Sequence, residues 1–211
     1  MLPVLLVLAA ALIAGCGGSS SSSSGSTSSR SAGTSTSAKS AGTSTGGVNP
    51  NQRETLPPGD IPDTIAYVPY TVPGAKLTVS TPEGWSRSNS PGGVVFTDKL
   101  NTIQVITSPA SAPVTAASAR STEVPKLASS AKGFKLQSIT VVSRPAGPAV
   151  RIAYLADSKP NPVTGKIGTL AFERYDFFHK AKEVALVLSS PLGSDNVDPW
   201  RKVTSSLRFT G

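Results

Sequence analysis

Cysteine occurs once in this 211-residue chain, at Cys16, and histidine once, at His179. A single thiol excludes an intrachain disulfide and any metal site built on clustered cysteines, and a single imidazole excludes poly-histidine sites. Aromatic residues are sparse, 6% of the chain, and its two tryptophans, Trp85 and Trp200, read as a turn anchor and a helix-stripe residue rather than ligand platforms. Long apolar runs are missing too. Val4–Ile13, extended to Leu2 across Pro3, is well short of the about 20 apolar residues a membrane-spanning helix needs. Phosphate-binding loops are absent, since Thr164-Gly165-Lys166 lacks both the upstream glycine and the following Ser or Thr. Gly42-x-Ser44-x-Gly46 has the letters of a nucleophile elbow but lies in a Ser/Gly tract, where the required strand and helix are not expected.

The remaining candidates for catalysis are few. His179 sits at an expected hairpin tip beside Lys180 and Lys182 and reads as a solvated turn residue. Glu173 and Asp176 lie three apart on an expected strand, so they face opposite sides and cannot form a carboxylate dyad. The chain is therefore read as a non-enzyme, with no catalytic residues, no cofactor and no metal.

What is present begins at the N-terminus. Val4–Ile13 fits the hydrophobic core of a secretory signal. Directly after it, Ile13-Ala14-Gly15-Cys16 resembles the bacterial lipoprotein signal, the lipobox. That resemblance implies cleavage between Gly15 and Cys16 and a thioether-linked diacylglycerol on Cys16. Small residues at positions 14 and 15 let a peptidase reach the backbone, and the thiol is the nucleophile for lipid transfer. One acyl chain anchors only marginally, so stable attachment needs two or more. No Lys or Arg precedes the apolar run, whereas a signal normally begins with a positive segment, and that segment is expected upstream of Met1.

Gly17–Gly47 contains 14 Ser, 7 Gly and 5 Thr, so it has little to bury against the entropy of ordering. Ser31-Ala32-Gly33-Thr34-Ser35-Thr36 recurs within it as Ser40-Ala41-Gly42-Thr43-Ser44-Thr45. Such tracts behave as flexible coil, with a reach of about 40 Å out to residue 63. Val48–Asp63, with four prolines, reads as a stiffer lead-in. The organisation is thus a signal peptide over 1–15, a lipidated cysteine with linker and lead-in over 16–63, and a folded domain over 64–211.

In the folded part the pattern turns to strands. Lys76–Thr81, Gly93–Asp98, Thr102–Thr107, Phe134–Val142, Ala149–Asp157, Ile167–His179 and Glu183–Ser190 alternate or are β-branched, with turn residues between them. Val114–Ala131 reads as helical with an interruption at Pro125. Asp198-Pro199 reads as a helix entry, an N-cap followed by proline, with Val197, Trp200, Val203 and Leu207 forming one apolar stripe. Hairpin-length connections make the sheet mainly antiparallel, and its apolar faces need helices to cover them, giving an α+β domain.

The corner Pro82-Glu83-Gly84-Trp85, the turn Pro145-Ala146-Gly147-Pro148-Ala149-Val150 into Arg151-Ile152-Ala153-Tyr154, and the closing segment Trp200–Phe209 resemble the PsbP-like superfamily, and among its members the LpqN-type actinobacterial lipoproteins. The match spans roughly residues 66–210. It implies an α/β/α sandwich, a mainly antiparallel sheet of about six or seven strands with helices on both faces, and an accessory or binding role. It transfers no functional residue beyond Cys16.

Charge narrows the partners. Of 20 Lys and Arg, 17 lie in residues 65–211 against 9 Asp and Glu, so this region carries the whole net charge of +8. Basic domains attract nucleic acid, anionic lipid or acidic polymers. Placement outside the cytoplasm removes nucleic acid and leaves an envelope protein, anionic lipid headgroups or a cell-wall polyanion. The expectation is a non-catalytic accessory or binding domain, anchored to the membrane through Cys16. A carrier of small apolar ligands, using a cleft between sheet and helix, is the alternative, and an envelope hydrolase comes third.

Overall fold

The computed structural model describes Arg53, Thr55, Pro57 and residues 59–211. Gly15, Cys16 and the Ser/Gly tract lie outside these residues.

Among the described residues ten strands form: β1 (Tyr67–Val72), β2 (Leu77–Pro82), β3 (Ser86–Ser90), β4 (Gly93–Asp98), β5 (Asn101–Pro109), β6 (Lys135–Arg144), β7 (Gly147–Asp157), β8 (Thr169–His179), β9 (Lys182–Pro191) and β10 (Arg208–Phe209). A seven-stranded sheet has the order β3-β4-β5-β9-β8-β7-β6, and a second sheet has the order β1-β2-β10. All pairs between these strands are antiparallel. The main sheet thus has the expected number of strands, but not the expected set. β2 leaves it for the second sheet, and the polar strand β3 takes an edge position instead.

Helices are few among the described residues. Between β5 and β6, α1 (Ala116–Ser118) runs through a π-helical stretch (Ala119–Glu123) into α2 (Val124–Ser130), and α3 (Val197–Ser206) precedes β10. The interruption expected at Pro125 appears as that π-helical stretch. Pro125 has no N–H to donate to the preceding turn, and the Val124 amide reaches back to the Ala119 carbonyl. α3 also starts differently from expectation. Asn196, not Asp198, holds the N-cap position, and its side chain caps nothing in the helix. Its amide serves the lead-in instead, accepting from the Ile61 N–H at 2.8 Å and donating to the Gly59 carbonyl at 2.9 Å.

Strand alternation divides the interior into two cores. Leu77 and Val79 of β2, Val94 and Phe96 of β4, Ile103 and Val105 of β5, and Val184, Leu186 and Leu188 of β9 meet Trp200 and Val203 of α3 in the larger one. Val150, Ile152, Tyr154 and Ala156 of β7 form the other with Ala119, and Val124 and Leu127 pack against it. β9 lies centrally in its sheet and is buried along nearly its whole length, as a continuous apolar strand should be.

Candidate functional site

The cleft between the main sheet and α3 is lined by Arg144, Arg151, Glu173, Tyr175, Trp200 and Arg201, with Val197 at its rim, and encloses about 210 Å³. Register builds it. Arg151 of β7 pairs across from Tyr175 of β8, and Ala153 from Glu173, so these side chains share one face. The Arg151 guanidinium bridges to Glu173, and the Tyr175 hydroxyl donates to the second oxygen of Glu173 at 2.6 Å. Arg144 lies over the Tyr175 ring, 5.4 Å from its centroid, and donates through Nε to Thr204 Oγ1 at 3.1 Å. Burial pushes the Glu173 carboxyl up, but the hydrogen bonds from Arg151 and Tyr175 and the Arg151 charge outweigh it and hold the group below its ordinary value. The Tyr175 hydroxyl is pushed up, by burial and by its bond to Glu173. Three guanidiniums line this cleft; Arg151 pairs with Glu173 and Arg201 with Asp198 at 3.0 Å, so the cleft is polar with a modest positive excess. Its chemistry suits an anionic group, and it presents only Val197 and the Trp200 ring to an apolar one.

On the other face of the same strands lies a second cluster. Arg174 donates through Nε to Asp176 at 2.7 Å and through Nη2 to Glu183 at 2.8 Å, and reaches Glu123 at 3.4 Å. Glu123 also pairs with Lys126 at 2.9 Å. Glu123 ends the π-helical stretch, so one guanidinium ties that segment to β8 and β9. Burial dominates at Asp176 and pushes its carboxyl up to about 7 despite the Arg174 charge and bond. Its Oδ2 is buried with no partner. The Asp176 side chain is 0% exposed, so it acts on packing rather than on a substrate.

The residues singled out in the sequence fall as follows. Glu173 and Asp176 point to opposite faces, each with its own arginine. His179 closes β8, where its ring stacks on Phe209 with centroids 4.2 Å apart and Nε2 lies 3.1 Å from the Gly211 carbonyl. It is half-buried against a neighbour rather than free in solvent. Trp200 is buried in the larger core, and Trp85 packs edge-on against it at 6.5 Å. Cys16 and Gly15 lie outside the described residues. Sequence reasoning missed the arginine cleft. Glu173-x-Tyr175 shared a face by alternation, but Arg144, Arg151 and Arg201 meet them only through tertiary structure.

No family model matches the chain, and no curated protein matches it in sequence. Among solved structures, the cyanobacterial PsbP, CyanoP, from Synechocystis sp. PCC 6803 is 16% identical, with a TM-score of 0.50 over 72% of this chain and 98% of that one. The Saccharomyces cerevisiae Ran-binding protein Mog1p is 10% identical, with a TM-score of 0.47 over 70% of this chain and 97% of that one. The likeness to CyanoP shows the fold: a sheet-rich, PsbP-like domain.

Proposed function

We propose that this protein is a lipid-anchored extracytoplasmic accessory or binding domain of the cell envelope and that it is not an enzyme. The observation that carries the reading is Ile13-Ala14-Gly15-Cys16, with the chain's sole cysteine standing between an apolar signal core and a tract of small polar residues. Cleavage before Cys16 and acylation of its thiol moor the domain on a leash with a reach of about 40 Å. An LpqN-type lipoprotein is the finer form of this reading. A PsbP-like α/β/α layering accompanies it, supported by the entry of α3 and of the α1–α2 segment into different cores. The charged lining of the sheet–α3 cleft favours an accessory or binding role over a carrier of apolar ligands.

The test is metabolic labelling with an alkyne fatty acid in wild type and Cys16→Ser. Label on wild type alone, together with partition into the detergent phase, supports the reading. An unlabelled wild-type protein recovered in the aqueous phase overturns it.

A further inference from the structure

Lysines stand at both ends of the domain, but the fold gathers the acidic residues that offset them at one end only. Antiparallel register places the turns of the domain at two ends. At one end lie the β1–β2 turn, the β3–β4 turn, the exit from β5, the β6–β7 turn, the β8–β9 turn and the residues after β10. Lys182 Nζ of the β8–β9 hairpin reaches the Gly74 carbonyl of the β1–β2 turn at 3.4 Å, and the Thr210 amide bonds the Lys76 carbonyl at 2.8 Å. These turns contain no Asp or Glu. Lys76, His179, Lys180 and Lys182 surround one small depression there, and the three lysines are exposed. The opposite end carries Asp60, Asp63, Glu83, Asp98, Asp157 and Asp195, and its own lysines, Lys99, Lys132, Lys159 and Lys166, lie among these carboxylates. It is also where the chain enters, through Arg53, bonded to Asp157 and Thr169, and through Gly59, bonded to Ser194.

Left-handed backbone occurs at both ends, once at the acidic end, where Lys99 has φ of 54°, and three times at the cationic end. Lys76, Lys180 and Ala181 have φ of 51°, 48° and 58°, a left-handed region that glycine or asparagine enters at less cost. A two-residue hairpin loop with both φ positive usually takes Asn-Gly, yet here it is Lys180-Ala181.

We infer that this end is a docking surface for an anionic envelope polymer with repeated phosphates. Its exposed cations are lysines, compact point charges that bind phosphate without the fixed geometry an arginine fork imposes, as successive phosphates along a polymer require. A membrane surface fits less well. Peripheral membrane binding couples cations to apolar side chains that insert; the exposed Val163 and Leu192 lie at the opposite end, and Val141, on the cationic half, stands back on β6 rather than in the turns that carry the lysines. With the chain entering at the acidic end, Lys76, Lys180 and Lys182 are left at the end remote from that entry.

The inference rests on the extracytoplasmic placement proposed above. The full-length protein in detergent is titrated with long-chain inorganic polyphosphate at low and at physiological salt. Wild type is compared with Lys76→Asn/Lys180→Asn/Lys182→Gln, where asparagine tolerates the left-handed backbone. A charge-matched control, Lys99→Asn/Lys159→Gln/Lys166→Gln, changes the other end. The expected result is saturable, salt-sensitive binding, weakened roughly tenfold or more by the first set and less than about twofold by the control. Equal losses in both sets mean net charge alone and overturn the proposal, as does an absence of saturable binding or full binding by the first set. Phosphatidylglycerol vesicles bound in preference to polyphosphate through the same lysines assign the surface to the membrane and overturn the polymer. Labelling of Cys16→Ser reports on placement and leaves lysine-dependent binding unmoved, so the two readings fail separately.

Discussion

Glu173 and Asp176 are three residues apart on one strand and respond to pH in opposite senses. At Asp176 burial wins, raising the carboxyl from 3.8 to about 7 in the folded state. The folded protein therefore holds a proton that the unfolded chain releases above about pH 4. Stability from this group is complete below that value and is lost as pH rises toward 7. The effect is on the order of a few kcal/mol at most. Thermal midpoints measured from pH 4.5 to 8 should decline in wild type and flatten in Asp176→Asn. Glu173 is held below its ordinary value, so its contribution is present above the unfolded carboxyl range and disappears as pH falls through its folded value. Glu173→Gln should accordingly lower the midpoint at pH 7 and lose its difference from wild type in acid. Arg174 is the harder residue to replace. Arg174→Met strands Asp176, Glu183 and Glu123 without their shared cation, at a cost of about 3–5 kcal/mol in chemical denaturation. Adding Asp176→Asn should recover part of that loss, because one of the stranded charges is then gone.

At the scale of elements, legibility followed burial. β4, β5, β7 and β9 could be read because the larger or smaller core selects aliphatic side chains at their inward positions. β3, Ser86–Ser90, is polar throughout and leaves no alternation to read, because it is an edge strand with four of its five residues exposed. β1 includes Pro69, a residue that argues for an edge, and it is indeed an edge of the small sheet. β10 is two residues long and exists only because the chain leaving α3 lies beside β2. The same distinction hid the arginine cleft, whose members lie on β6, β7, β8 and α3 and have no common period. One local signal does carry a test. A methyl group at Gly93 would run into the Val105 carbonyl of the neighbouring strand, a backbone obstacle that cannot swing aside. Gly93→Ala should therefore separate β4 from β5 and lower stability by about 1–3 kcal/mol, read as a fall in thermal midpoint.

For the molecule as a whole, the decisive junction is where the lead-in joins the fold. Ile61 is 5% exposed and belongs to the larger core, so the lead-in is fastened before the first strand begins. Three side chains grip Gly59 and Ile61. Asn196 grips the Ile61 amide and the Gly59 carbonyl, Asn101 donates to that same carbonyl at 2.8 Å, and Ser194 accepts from the Gly59 amide at 3.0 Å. A pull on the lead-in would reach the domain through this clasp, at the acidic end. Asn196→Ala leaves the buried Ile61 N–H without its partner, a penalty of about 1–3 kcal/mol borne mostly by the clasp. Because the sheet ladders are untouched, the loss should appear first as local opening rather than global unfolding. Limited proteolysis should cut Asn196→Ala ahead of residue 64 markedly faster than wild type, while the resulting fragment resists further digestion. Uniform digestion of the variant would mean that the clasp and the sheets unfold as one unit.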